Sequence, residues 1–305
     1  MRILDAGLRQ EVESLAFSPD GCTLAASAAF EQAVVHDLTG ARPPVLIGNG
    51  RSPGETLLRF EPGGRVLAAV TVDGRTRFDR DRGTVLGVSP RDPHARGLVV
   101  GFDTTLNGDR LVTSQIELDR SRLCGWEPEG EGWGLRWSVE CGDLSMPALS
   151  TDGLRVAHVA FAERGHSGPP RLFVYDARTG ELVASRPFPY MALPEPRYRA
   201  DGRQVVAVHE MMLVVWDPLM PGKPALVRND SRRHFTAAAY HPSGRYLFTT
   251  SNDATVTVWD TDSWARVKRF DWDIGRLRSV AVSPDGLLAA AGSDRGRVVV
   301  WDVDV

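Results

Sequence analysis

Apolar stretches recur along this chain in pairs, and a glycine turn separates the two members of each pair. Near the start, Val12 to Phe17 leads into Ser18-Pro19-Asp20-Gly21, and Thr23 to Ser27 follows. Near the end, Leu277 to Val282 leads into Ser283-Pro284-Asp285-Gly286, and Leu287 to Gly292 follows. Proline presets its own backbone angle and glycine accepts positive φ at no steric cost, so these clusters predict tight hairpin turns. The turn glycines Gly21, Gly64, Gly108, Gly153, Gly202, Gly244 and Gly286 lie 42 to 49 residues apart. A third apolar stretch closes each repeat on an aromatic–acid phrase. Trp216-Asp217, Trp259-Asp260 and Trp301-Asp302 are the clear copies; His36-Asp37, Phe78-Asp79, Trp126-Glu127 and Tyr175-Asp176 are weaker ones. A fourth strand follows a polar turn, as in Thr179-Gly180-Glu181-Leu182-Val183. A period in the forties with four strands is the signature of a propeller blade. Seven such sheets packed radially bury both faces and leave only short edges. The pattern therefore predicts an all-β, seven-bladed β-propeller occupying residues 1–305 as one domain.

These residues resemble the WD40-repeat family over essentially the whole chain. The sixth repeat is nearest the family pattern, with Ser251-Asn252-Asp253-Ala254-Thr255 leading to Trp259-Asp260. The resemblance implies a histidine, from a Gly-His pair, bonded to a turn aspartate, a strand Ser/Thr and the tryptophan. No Gly-His pair stands at the matching distance here, and Gly165-His166 falls inside a loop. Asp253 matches the turn aspartate, whereas the last repeat has Arg295 and the first has Phe30 at that place. An incomplete internal polar network is expected, with blades held mainly by apolar packing.

The last repeat lacks a fourth strand, and Arg2-Ile3-Leu4 stands before the first full repeat. Family members commonly share one blade between the two chain ends. Residues 1–6 are thus expected to supply the outer strand beside Val298–Trp301. Function on such a scaffold sits in its loops. The third and fourth repeats carry extra residues within Gln115–Ser121 and Ala162–Pro170, between their second and third strands. In the family, the narrower top face bearing these loops is a common partner site.

Candidate partner contacts follow from that face. The fourth insert offers Arg164 and His166, and the connection to the fifth blade offers Phe188, Tyr190 and Met191 between prolines. Stiff, aromatic loops suit an interface hot spot, although Phe188 and Tyr190 tucked between blades as core is the simpler reading of each side chain. His234, Trp272, Arg276 and Arg295 complete the set, each more often a solvated or packing residue. The cluster Arg75, Arg77, Arg80 and Arg82 alternates with Asp73, Asp79 and Asp81, and reads as alternating charge on an exposed strand.

Composition narrows the function classes. A formal net charge of -3 gives no pull toward nucleic acid. Arginine outnumbers lysine 34 to 2, which reads as GC-rich genome composition and suggests a bacterial source. Cys22, Cys124 and Cys141 follow no metal-ligand spacing and read as buried free thiols in a reducing compartment. The N-terminus lacks a secretory h-region and no apolar run is long enough for a membrane helix, so a cytoplasmic placement is expected. No His-x-x-x-His or Cys-x-x-Cys pair and no phosphate-binding glycine loop is present, so no cofactor or metal is expected. The leading expectation is a non-catalytic interaction scaffold with a top-face site for a protein or peptide. It would act as a monomeric disc or as one domain of a larger protein. The alternative is a propeller enzyme or small-ligand binder working at the central channel mouth.

Overall fold

Val298-Val299-Val300-Trp301 is buried at every position, whereas an ordinary one-faced strand would expose every second residue. The cause is radial stacking. Val298 and Val300 join Leu24 and Val34 of the first blade, while Val299 and Trp301 join Phe248, Val256 and Val258 of the sixth. Each side of a blade is thus the floor of a different inter-blade core. Outer strands have no such neighbours. Arg266–Asp271, in the sixth blade, is mostly exposed and carries four charged residues. That charge discourages edge-to-edge association.

The computed structural model describes residues 1–5, 7–48, 57–71, 74–89, 98–105, 107–116, 121–130, 132–142, 146–161, 169–190, 194–220 and 222–304. Among them the regular elements are 28 strands in seven four-stranded antiparallel sheets. Blades 1 to 6 take their strands consecutively from residues 14–47, 58–89, 98–141, 148–187, 196–228 and 235–271. Blade 7 joins 277–302 to the N-terminal strand Arg2–Asp5. The expected closure is observed: Arg2 pairs with Val300, Ile3 with Val299 and Leu4 with Val298. The terminal ammonium lies 3.5 Å from Asp302, and Arg2 donates to the Leu38 carbonyl of blade 1.

The aromatic of each repeated phrase wedges toward the preceding blade. Trp259 packs with Val206 and Leu213 of blade 5, Trp216 with Val159 and Leu172 of blade 4, and Trp126 with Ala68 and Val70 of blade 2. The indole N–H is bonded in some blades and not in others. Trp259 donates to Thr249 Oγ1 at 2.9 Å and Trp126 to Thr113 Oγ1 at 3.0 Å, while Trp216 Nε1 and Trp301 Nε1 are buried without an acceptor among the described residues. In blade 6 Asn229 supplies the polar link. Its Nδ2 donates to Ser251 Oγ at 3.2 Å, and Ser251 Oγ donates to the His234 carbonyl at 2.9 Å.

The seven glycine turns form a ring on the bottom face, each docked on the turn of the blade before it. A methyl on Gly108 would come within 2.7 Å of Pro62, and one on Gly286 would overlap the His241 ring. Gly286 also has φ 75°. Glycine is thus required there for backbone angle and for space at once.

Two expectations fail here. Arg75 is fully buried, not part of an exposed alternating strand. It reaches Glu61 Oε1 at 2.6 Å, lies 5.0 Å over the Phe102 ring of blade 3, and shares Glu61 with Arg77 at 2.7 Å. Blades 2 and 3 meet there through charge, which a pattern of alternating signs cannot distinguish from a solvated strand. Cys22 is exposed, following the turn glycine into solvent, while Cys124 is buried and Cys141 half-buried.

Candidate functional site

The top face carries the loops between successive blades and those between second and third strands. Inside the ring the inner strands surround a channel of about 1120 Å³. Part of its wall is charged: Arg59 lies 3.5 Å from Asp103, and Arg197 donates to Glu195 at 2.6 Å. Asp103 is fixed by the Leu149 N–H at 2.8 Å. At the top mouth a second cavity of about 390 Å³ is lined by Glu11, Glu13, His234, Thr236, Asn252 and Arg278. Thr236 Oγ1 is bonded to Thr250 Oγ1 at 2.9 Å.

Beside the mouth, blades 4 and 5 build an aromatic stack. Phe188 is 1% exposed, 5.5 Å from Trp216, and belongs to the core between these blades. It anchors the loop from within and presents no surface to a partner. Tyr190 is half-buried and stacks on His209 with centroids 4.3 Å apart. Burial holds the His209 imidazole below its ordinary pKa, opposed by Glu210 and reinforced by His234. His209 matches no motif in the sequence. Its signal is positional: it ends a second strand just before a tight turn in which Glu210 has φ 49°.

Blades 6 and 7 contribute a second group. Trp272 is half-buried, stacked on Phe270 at 5.2 Å and set 4.6 Å from Trp301. Arg276 is exposed, and its backbone is clamped to Asp294: its N–H donates to Asp294 Oδ1 at 3.0 Å, and its carbonyl accepts from the Asp294 N–H at 2.8 Å. This pairing brings exposed Arg295 to the same rim. His234 is exposed at the mouth rather than on that rim. Arg164, His166 and Met191 lie outside the described residues, as do 117–120 and 162–168 of the two insertions. Among the described residues no three His, Cys, Asp or Glu side chains gather as a metal site. No helix is long and apolar enough to cross a membrane.

Seven radial four-stranded sheets, closed by the N-terminal strand around a channel, define a seven-bladed β-propeller. Residues 229–260 and 270–302, in the last two blades, match the family model described as WD domain, G-beta repeat. It is similar to pre-mRNA-processing factor 19 homolog 2 of Arabidopsis thaliana, 36% identical over 80 residues, which is 26% of this chain and 15% of that protein. It is also similar to pre-mRNA-processing factor 19 of Oryza sativa subsp. japonica, 30% identical over 69 residues, or 23% of this chain and 13% of that protein. The match thus spans a small fraction of either relative's length. Both are plant proteins, so the expectation of a bacterial source finds no support.

Proposed function

We propose that this chain is a non-catalytic interaction scaffold whose top face, around the channel mouth, receives a protein or peptide partner. The observation that carries the reading is the collection of half-buried rings and unpaired cations on that face. Trp272 and Tyr190 present ring surface held rigid by stacking. Arg232, Arg233, Arg276 and Arg295 are exposed, and among the described residues none of them has an ion-pair partner. Aromatic and arginine side chains dominate interface hot spots. The WD40 repeat itself supports a scaffold role. The names of the two relatives attach a similar segment to pre-mRNA processing, which makes proteins of RNA-processing assemblies the first partners to try. The cytoplasmic placement stays a proposal, checked by fractionation of the native cells.

Capture with the wild type and with an Arg276→Glu/Arg295→Glu variant tests the reading. Loss of at least part of the specific captured set, with an unchanged melting temperature, is the expected result. A variant that retained every partner at wild-type yield would sink it. The channel volume favours a second reading, a small ligand bound within the ring. That reading requires a compound that raises the melting temperature equally in wild type and in the rim variant.

A further inference from the structure

The lead-in to blade 1 sets two carboxylates side by side at the channel mouth. Val12 is fully buried; its N–H donates to the Ser293 carbonyl at 2.9 Å, and its carbonyl accepts from Ser279 Oγ at 2.7 Å. Alternate side chains of extended backbone point to opposite sides. Anchoring Val12 in the core therefore turns Glu11 and Glu13 the same way, and both line the mouth cavity. Arg278 Nη2 donates to Glu11 Oε1 at 2.9 Å. Glu13 has no cationic partner among the described residues. Glu13 is exposed at the cavity edge; partial burial first, and Glu11 second, raise its carboxyl above the usual range. On the same cavity Asn252 Oδ1 is buried with no donor among the described residues. Two acceptors on this wall, the Glu13 carboxylate and Asn252 Oδ1, thus stand without a protein donor among the described residues. An anionic group would meet Glu13 directly.

We propose that this mouth binds the guanidinium or ammonium head of a basic side chain on a partner peptide, with Glu13 as the charge partner and Asn252 as a neutral acceptor. The assignment rests on the interaction reading and names the chemistry of its partner. A charged head between a carboxylate and an amide oxygen forms charge-assisted hydrogen bonds, and the cavity of about 390 Å³ has room for the stem of the side chain as well.

The test is a titration of the full chain with Nα-acetyl-arginine amide, followed by the side-chain amide resonance of Asn252, with Nα-acetyl-citrulline amide as the uncharged match in shape. The arginine probe should give a saturable shift, and the citrulline probe should bind about tenfold more weakly or less. Glu13→Gln should weaken the arginine probe by a similar factor and leave the citrulline probe unchanged. This variant removes the repulsion from Glu11, so it should melt no lower than wild type. Equal binding of both probes, absence of a saturable shift, or unchanged arginine binding by Glu13→Gln overturns the proposal. A captured partner that binds Glu13→Gln with wild-type affinity also overturns it, while leaving the interaction reading standing.

Discussion

His158 is fully buried in the second strand of blade 4 and stacks on Phe173 and Tyr175 at 5.5 and 5.6 Å. Among the described residues neither ring nitrogen has a hydrogen-bond partner, and burial holds its pKa down from 6.5 to about 3. The unfolded chain therefore binds a proton that the folded chain refuses between those values. Stability is complete above about pH 6.5 and falls as pH drops toward 3, by about 1.4 kcal/mol per unit within that window. Urea unfolding across the range should show this slope, and His158→Phe should flatten it. The ion cluster at Glu61 is the opposite kind of buried group. Burial opposes its ionisation, but hydrogen bonds and charge from Arg77 and Arg75 hold its pKa below the usual value. Glu61→Gln removes the counter-charge that Arg75 and Arg77 share and should cost about 3–5 kcal/mol in denaturant unfolding. A loss under about 1 kcal/mol would mean the arginines find other partners.

At the scale of elements, closure depends on four residues. Arg2–Asp5 provides the outer strand of blade 7 and carries only one partly buried side chain, Leu4, against the core between blades 7 and 1. Deleting residues 1–5 leaves Arg297–Asp302 as a bare edge, so the melting temperature should fall and aggregation should rise. A truncated chain that melted at the wild-type temperature would refute this role. The same seam is held from above by Gly296, which has φ 69° and would overlap the Leu8 carbonyl if it bore a methyl. Gly296→Ala should destabilise by about 1–3 kcal/mol. An equivalent change at the open Gly40, also at φ 79°, should cost less because only backbone strain applies.

For the whole molecule, the ring is rigid because each blade completes the core of the next. Trp259→Ala, which opens a void between blades 5 and 6, should therefore lower the single unfolding transition by about 3–5 kcal/mol rather than melt one blade alone. Two transitions in calorimetry would show that the blades uncouple. The rim arginines belong to the opposite regime. Arg276 and Arg295 are exposed, so changing them should alter binding and leave that transition in place.

Period, turn chemistry and the Trp-Asp echo are local, so the sequence alone determined the blade count and the four-strand sheets, which follow from backbone preference and from alternation with period two. The shared last blade came from the missing fourth strand of the last repeat together with the family resemblance. Which side chains meet across the ring is set by radial closure, and only the tertiary structure decided it. Phe188 and Tyr190 are two residues apart in one loop, yet the first is core and the second half-exposed. Arg75 belongs to a run of alternating charge but finds Glu61 within its own blade and Phe102 in the next. The mouth cavity unites Glu11 and Glu13 with Arg278, more than 260 positions along the chain, because blade 1 is the neighbour of blade 7. Such contacts arise from how the sheets pack, and no local pattern in the chain encodes them.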